Sequence, residues 1–492
     1  MAKIRFVREG IDFDAAEGMT VLEAEIAAGL EPDAPCGGRG KCGKCKVLTG
    51  GQVVLACQTL VEDGMEVQTE HNEEETAHIL LEGSGRKVAF APGKLPEEVE
   101  RPLLAAVDVG STSVVVYLFD GKDGHPLSVE STLNPQRQYG GDVVERGNYA
   151  MEHGGAALSG CIREAVQELL VKNCLDAGRD PSEIVKIVMV GNSCMHHLYL
   201  ELPVKTLVMA PYEPYVKDAM CVKAVDYGIT ACPHADLYWL SNIGGFVGAD
   251  TVGCILSSGI YERDELTLLV DIGTNGEMVL GNKDGLLASS TAAGPAFEGA
   301  KITCGMRGSE GAIDHVVLED GKLKYHVIDD VEPVGICGSG LLDAVACLLK
   351  LEEISETGRL EETYHFTEDV FINQKDVREL QLAKAAICAG VRLLCKYKGV
   401  EASDITEVLI AGAFGNYLDP DSACDIGMLP EELKGKITPI GNAAGEGASM
   451  AVLNHGEYER SRGLAKWTEF KELALAPDFQ EVYVDEMLFP EC

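Results

Sequence analysis

LLAAVDVGSTSVVVYLFDGKDG, residues 103–124, and LTLLVDIGTNGEMVLGNKDG, residues 266–285, match position for position. Asp108 stands with Asp271, Gly110 with Gly273 and Ser111 with Thr274, and each stretch runs on into a second apolar strand and an Asp-Gly turn. A repeat roughly 160 residues apart predicts two similar subdomains facing a cleft. In each copy an apolar strand ends in an aspartate, and a glycine permits a sharp hairpin. The hydroxyl and backbone N–H groups of such a turn point into the cleft, where they can hold phosphate oxygens. The two aspartates suit a magnesium ion, held directly or through water, and can orient an attacking water. One D-x-G-[ST] is weak evidence, since any strand-turn-strand could carry it; two in register are much stronger.

Three further stretches fit a cleft. EVLIAGAFGNYLDP, residues 407–420, reads as a buried strand entering a Gly-Ala-Phe-Gly turn, which lets backbone pass close to a nucleoside. GICGSGLLDAVACLL, residues 335–349, sets Gly-Ser-Gly at a helix start; its plainer reading is a packing site. TAAGPAFEGAKI, residues 291–302, carries one carboxylate, Glu298, which is either a cleft residue or a cap. Arg307 and Glu310 line the cleft or hold a turn. His196 and His197 are adjacent, so their side chains point to different sides of an element and rarely share a metal; they read as structural or partner-facing.

The front end has a different chemistry. CGGRGKCGKC, residues 36–45, is followed by Cys57, so that Cys36, Cys42, Cys45 and Cys57 have the spacing C-x5-C-x2-C-x11-C. Around them IRFV reads as a strand, and a helix begins at Thr20 with Glu23 completing a capping box. KCKVLTGG and QVVLACQTLVEDGMEV read as strand, turn and strand. This order suggests a β-grasp ferredoxin domain over residues 1–70. A structural zinc site usually draws two knuckles from two turns, whereas here three cysteines share one glycine-rich loop. Glycine lets backbone fold around an inorganic core and aim N–H groups at its sulfurs, which favours a 2Fe-2S cluster over zinc. Residues 71–100 are charged, with Gly and Pro interruptions, and read as a linker with room for a short strand. Residues 101–492 form the two-lobed domain, its repeat starting near 103 and 266.

Composition narrows the partners. The chain has 79 acidic and 41 basic residues and a formal charge of −38. That argues against nucleic acid, which needs basic grooves. No apolar run is long enough to span a bilayer, and MAKIRFVREG does not resemble a secretory leader. The reading is a cytoplasmic protein without membrane contact. The remaining cysteines, out of 17, read as small buried hydrophobes.

Both D-x-G-[ST] hairpins and AGAFGN resemble the two phosphate motifs and the adenosine motif of the actin-like (ribonuclease H-like, ASKHA) ATPase superfamily. With the ferredoxin head, the chain resembles the reductive activases of corrinoid enzymes. NPQRQYGGDVV, VGNSCMHHL, NIGGFVGADTVGCIL, GPAFEGAKI, GICGSGLLDA, AGAFGNYLDP and GNAAGEGA are similar to that family's motifs. The fold class implied is α+β multidomain: β-grasp 2Fe-2S ferredoxin, linker, and two-lobed α/β ATPase. The function implied is ATP-dependent reduction of Co(II) in a corrinoid protein to Co(I), which must accept a methyl group. Plant-type clusters lie near roughly −400 mV, and the corrinoid is harder to reduce, so ATP would supply the driving force. The resemblance assigns Cys36, Cys42, Cys45 and Cys57 to the cluster. It assigns Asp108, Gly110, Ser111 and Thr112 to the first phosphate turn, and Asp271, Gly273, Thr274 and Asn275 to the second. Gly412, Ala413, Gly415 and Asn416 would meet adenosine. The implied cofactors are the cluster and ATP with Mg2+. The implied partners are a corrinoid protein and a low-potential donor such as ferredoxin, flavodoxin or a reductase. Long family members carry an extra middle domain before the ATPase, for which the hairpin at residue 103 leaves no room. A small-molecule kinase, or an ATP-binding redox sensor with an appended ferredoxin domain, remains the alternative.

Overall fold

The computed structural model describes residues 2–490 except 17, 31, 33, 35–37, 39, 41–44, 70–84, 274, 300 and 474. Cys36, Cys42 and Thr274 therefore lie outside the described residues, as do the side chains of Ala413 and Asn416.

The front domain is a five-stranded sheet of β1 (Ala2–Phe6), β2 (Ile11–Ala15), β3 (Lys46–Thr49), β4 (Gln52–Leu55) and β5 (Met65–Thr69), ordered β2-β1-β5-β3-β4. β1 and β5 pair in parallel and the flanking pairs are antiparallel. Alternation along β1 buries Ile4 and Phe6 beneath the helix Val21–Ala27. That helix begins as expected: Glu23 N donates to Thr20 Oγ1 at 3.2 Å, and Thr20 N donates to Glu23 Oε2 at 2.7 Å.

Two six-stranded sheets follow. The first contains β6 (Leu103–Val109), β7 (Ser113–Asp120), β8 (Pro126–Leu133), β9 (Ile184–Val190), β10 (Met220–Lys223) and β11 (Asp236–Trp239), in the order β10-β11-β9-β6-β7-β8. The second lobe begins with β12 (Thr267–Ile272), β13 (Gly276–Asn282) and β14 (Gly285–Thr291). A smaller sheet of β15 (Ala312–Glu319), β16 (Lys322–Val327) and β17 (Gly335–Ile336) and a hairpin of β18 (Tyr364–His365) and β19 (Phe371–Ile372) come next. With β20 (Glu407–Ala411), β21 (Ile437–Pro439) and β22 (Glu469–Phe470), the second large sheet is ordered β21-β20-β12-β13-β14-β22.

The repeat in sequence is a repeat in topology. β6 pairs antiparallel with β7 and parallel with β9, and β12 pairs antiparallel with β13 and parallel with β20. The central strands are apolar and buried on both sides, as covered parallel strands are. One apolar core fills the first lobe and extends to Leu269, Val279 and Leu409 on one face of the second large sheet, and another lies on that sheet's opposite face. Two helices lie between the sheets. Ala249–Ser258 joins β11 of the first to β12 of the second, and Ala443–Leu453 follows β21 and packs on β6 and β9. Among the described residues no domain stands between the linker and β6: residues 85–102 run without a strand, apart from one bridge between Ala91 and Asn454.

Candidate functional site

Asp108 sits at the open end of β6, between Val115 and Val190 on its neighbours, and Asp271 holds the same place between Glu277 and Ala411. The first turn is fixed from outside. Asn134 Nδ2 donates to Gly110 O at 2.8 Å and Asn134 N donates to Thr112 O at 2.8 Å. Asn192 Nδ2 donates to Ser111 Oγ at 2.9 Å. A Cβ on Gly110 would stand 2.9 Å from Ser113 O, so the hairpin needs glycine there. In the second turn Gly273 N donates to Asn275 O at 2.9 Å.

The two turns face one cavity of about 210 Å³. Asp108, Gly110, Ser111, Thr112, Asp271, Gly273, Asn275 and Gly412, all expected from sequence, line it. So do four residues not singled out beforehand: Asn192, Asp250, Glu277 and Asn442. Asn192, Asp250 and Asn442 fall in VGNSCMHHL, NIGGFVGADTVGCIL and GNAAGEGA, each at a strand end or helix start. For Asn192 the repeat itself is a signal. Gly191 follows β9 as Gly412 follows β20, and a Cβ on Gly191 would stand 2.6 Å from Val109 O.

Five carboxylates line the cavity, and four of them, Asp108, Asp250, Asp271 and Glu277, are so desolvated that they cannot all ionise at ordinary pH. Burial pushes Asp108 up to about 7, with a further push from Asp271, while the hydrogen bond from Asn442 opposes it. Burial raises Asp271 to about 6, against the opposing contact from Cys254, whose Sγ lies 3.7 Å from Asp271 Oδ2. Burial and the charges of Asp271 and Asp108 raise Asp250, and burial with Asp250 and Asp271 raises Glu277. Such a site gains most from a bound cation. Among the described residues no three acidic, histidine or cysteine side chains converge to hold a metal by themselves. That fits magnesium, which keeps several waters and takes one or two carboxylates plus phosphate oxygens.

A second cavity, about 340 Å³, adjoins the first, and Thr112, Glu298 and Phe414 line both. Phe297 and Phe414 stack in its wall with centroids 4.7 Å apart. Glu298 is a cleft residue: it accepts from Thr112 Oγ1 at 2.7 Å and so ties the lobes together. Arg307 also lines this cavity, whereas Glu310 is exposed. At the strand-to-helix turn Gly412 has φ +91°, and a Cβ there would meet Asp271 Oδ1 at 2.8 Å. A Cβ on Gly415 would stand 2.3 Å from Ile410 Cγ2.

In the front domain the Cys45 and Cys57 sulfurs are buried and 3.3 Å apart. That is far beyond a disulfide bond and near the roughly 3.7 Å expected of two thiolates on one tetrahedral metal at about 2.3 Å. Ala56 N donates to Cys45 O at 2.7 Å, pinning the two ligand segments together. The residues present thus fit a thiolate-bound cluster.

His196 and His197 are fully buried and belong to the core. His197 Nδ1 donates to Ser193 O at 2.6 Å while its Nε2 accepts from Val216 N. His196 Nδ1 accepts from Asn242 Nδ2 at 2.9 Å, and its ring packs edge-on to Trp239. Burial lowers the pKa of both. Of the described cysteines outside the front cluster, only Cys161, Cys221 and Cys304 are not buried. No described helix is long and apolar enough to cross a membrane.

Known proteins converge on the same architecture. Residues 5–77 match a 2Fe-2S iron-sulfur cluster binding domain, residues 103–263 the RACo middle region, and residues 265–492 the C-terminal ASKHA domain of RACo. The middle region thus coincides with the first lobe and does not form an additional domain. A corrinoid activation enzyme, RamQ of Eubacterium limosum, is 34% identical over 97% of this chain and 97% of its own. Its alignment extends over 584 residues against 492 here, so that relative has segments without counterpart in this chain. A Co(II) methylated amine-specific corrinoid protein reductase of Methanosarcina barkeri is 26% identical over 78% of this chain and 76% of its own. Among solved structures, a reductive activator for a corrinoid, iron-sulfur protein superimposes with a TM-score of 0.74 at 28% identity, covering 100% of this chain and 98% of that one.

Proposed function

Because the chain belongs to the RACo family of corrinoid activation enzymes, we propose that it passes an electron from its 2Fe-2S domain to a Co(II) corrinoid protein at the expense of ATP. One observation carries the reading. A single chain holds a buried pair of cysteine sulfurs, Cys45 and Cys57, and a cavity in which Asp108 and Asp271 of two phosphate-type hairpins face each other. The cluster supplies one electron at low potential. The cavity supplies two states with different affinity for the partner, which is what coupling to an uphill transfer requires.

Within the cavity each group has a task. The turns at Ser111–Thr112 and Gly273–Asn275 hold phosphate oxygens through backbone N–H groups and hydroxyls. Asp108 and Asp271 would hold hydrated magnesium and orient a water towards the terminal phosphate. Asn442 keeps Asp108 aimed into the site. The Phe297–Phe414 wall offers a flat apolar face for the nucleoside, which Gly412 and Gly415 let approach the backbone. Cys36 and Cys42 complete the ligand set with Cys45 and Cys57. A low-potential ferredoxin, flavodoxin or reductase recharges the cluster.

The test is anaerobic. The reduced protein is mixed with a Co(II) corrinoid protein and the visible spectrum is followed with and without Mg-ATP. Co(I) formed only with ATP supports the reading. A phosphorylated metabolite in place of free phosphate, with no Co(I), would sink it in favour of a kinase.

A further inference from the structure

The segment that leads from the ferredoxin domain is fastened along one of the helices that form the nucleotide cavity. Arg86 N donates to Glu446 Oε1 at 2.6 Å, one turn beyond Asn442, which itself bonds Asp108. At the helix's other end Ala91 N donates to Leu453 O at 2.9 Å and His455 N to Ala91 O at 2.8 Å. Asn454 Nδ2 donates to Ala89 O at 2.8 Å. The buried ammonium of Lys186, on β9, donates to Pro92 O at 3.1 Å and to Val452 O at 3.3 Å.

Arg86 also reaches a second helix. Its Nη1 donates to Leu256 O at 3.2 Å, at the end of Ala249–Ser258, and its Nη2 pairs with Glu262 just beyond. Asp250, in the first turn of that helix, lines the nucleotide cavity. Thus Arg86 is bound to Ala443–Leu453 through its backbone and to Ala249–Ser258 through its guanidinium.

These two helices meet backbone to backbone at Gly253 and Gly447. A Cβ on Gly447 would lie 2.2 Å from Gly253 O, and one on Gly253 would lie 2.8 Å from Ala444 O. Both are crossings of the chain between the sheets: Ala249–Ser258 runs from β11 to β12, and Ala443–Leu453 follows β21 and packs on β6 and β9. A change in the angle between the lobes would move one helix against the other, and Arg86, held by both, would lose one of its two contacts.

We propose that Arg86 is a positioning residue that couples the nucleotide cavity to the ferredoxin tether, through its simultaneous hold on the helices Ala249–Ser258 and Ala443–Leu453. Sliding of the helices changes the grip on residues 86–91, and with it the reach of the ferredoxin domain. This rests on the reading of the Asp108–Asp271 cavity as the nucleotide site.

The experiment uses the full-length, cluster-loaded protein. Amide hydrogen exchange of residues 86–91 is followed with and without Mg-ATP, and Mg-ATP binding is measured by calorimetry on the same preparation. The expected result is a change of about threefold or more in exchange within this segment. Arg86→Ala and Glu262→Gln should bind Mg-ATP as the parent does, keep the cluster, and lose the exchange response together with most ATP-dependent Co(I) formation. Mg-ATP binding without any response at residues 86–91 would overturn the coupling and leave the nucleotide reading standing. A full response in both variants would overturn the role of Arg86. Failure to bind Mg-ATP would instead remove the reading on which the coupling rests.

Discussion

Asn442 Nδ2 stands 3.1 Å from Asp108 Oδ2, joining the cap of the helix after β21 to the end of β6 across 334 residues of chain. The same side chain caps its own helix, since Gly445 N donates to Asn442 Oδ1 at 2.8 Å. Asn442 therefore has one face for the fold and one for the site. Asn442→Asp should keep the cap but set a carboxylate against Asp108 in a cavity already crowded with negative charge. We expect Mg-ATP hydrolysis to fall roughly 10-fold or more, the scale of one lost charge-positioning contact, while thermal stability changes little. Phosphate release with and without excess Mg2+ checks this; unchanged turnover would remove Asn442 from the site.

Asp271→Ala tests the second hairpin. The carboxylate faces the cavity, so its removal relieves repulsion on Asp250 and leaves only the weak Cys254 thiol without its acceptor. The protein should keep its fold and its 2Fe-2S absorption. ATP-dependent reduction should be lost by roughly 100-fold or more, as expected when an electrostatic element of phosphoryl transfer goes. Reduction at the parent rate would exclude Asp271 from the mechanism.

The cysteine assignments have an independent readout. Cys57 lies beside Cys45 on the buried side of the front domain, so Cys57→Ala should lose the cluster. Cys42→Ala should do the same. Iron and sulfide counts, with the visible spectrum, decide it: about two irons per chain in either variant would overturn that ligand. ATP hydrolysis by the separate back domain should survive in both.

Packing between the crossing helices gives a contrast of two glycines. Gly447→Ala places a methyl 2.2 Å from Gly253 O, where only backbone movement can make room. The cost should be roughly 1–3 kcal/mol or more, with weakened nucleotide binding because both helices end at the cavity. Gly463, in the helix His455–Trp467, has open space where its Cβ would go. Gly463→Ala should raise stability by about 1 kcal/mol, the helix-propensity difference. Equal melting temperatures for the two variants would contradict the close approach.

Much of this was legible in the sequence because the repeat repeats chemistry along with hydrophobicity. Asp108 and Asp271 each terminate an apolar strand before glycine, and such a strand has little choice but to present its aspartate at the sheet's end. Thr20 and Glu23 specified their capping box locally, within four residues. Asp250, Glu277 and Asn442 were harder. Asp250 and Asn442 reach the cavity from elements far apart in the chain, and at a helix start each reads equally well as a cap, whereas Glu277 lies on β13 directly across from Asp271. Arg86 gave no local signal at all. It lies in a charged stretch that resembles a linker, and only the fold shows that this stretch is bound along a helix.

The crowded carboxylates give a dependence on pH whose sign follows from burial. Asp108 is pushed up to about 7 and Asp271 to about 6, both above the roughly 3.9 of an unfolded aspartate. In the folded protein each holds its proton longer than in the unfolded chain. Their contribution to stability is thus fully present below about pH 4 and is lost as pH rises through about 6 to 7. Magnesium reverses the balance, because it binds the ionised form and screens the repulsion. The rise in melting temperature caused by Mg2+ should therefore be small near pH 5.5 and grow towards pH 8, with proton release on binding in between. Asp108→Asn should flatten that profile, since its amide neither titrates nor repels. The measurement is a series of melts from pH 5.5 to 8, with and without Mg2+, on both proteins. A magnesium shift independent of pH, or an unaltered profile in Asp108→Asn, would mean that Asp108 does not face the ion.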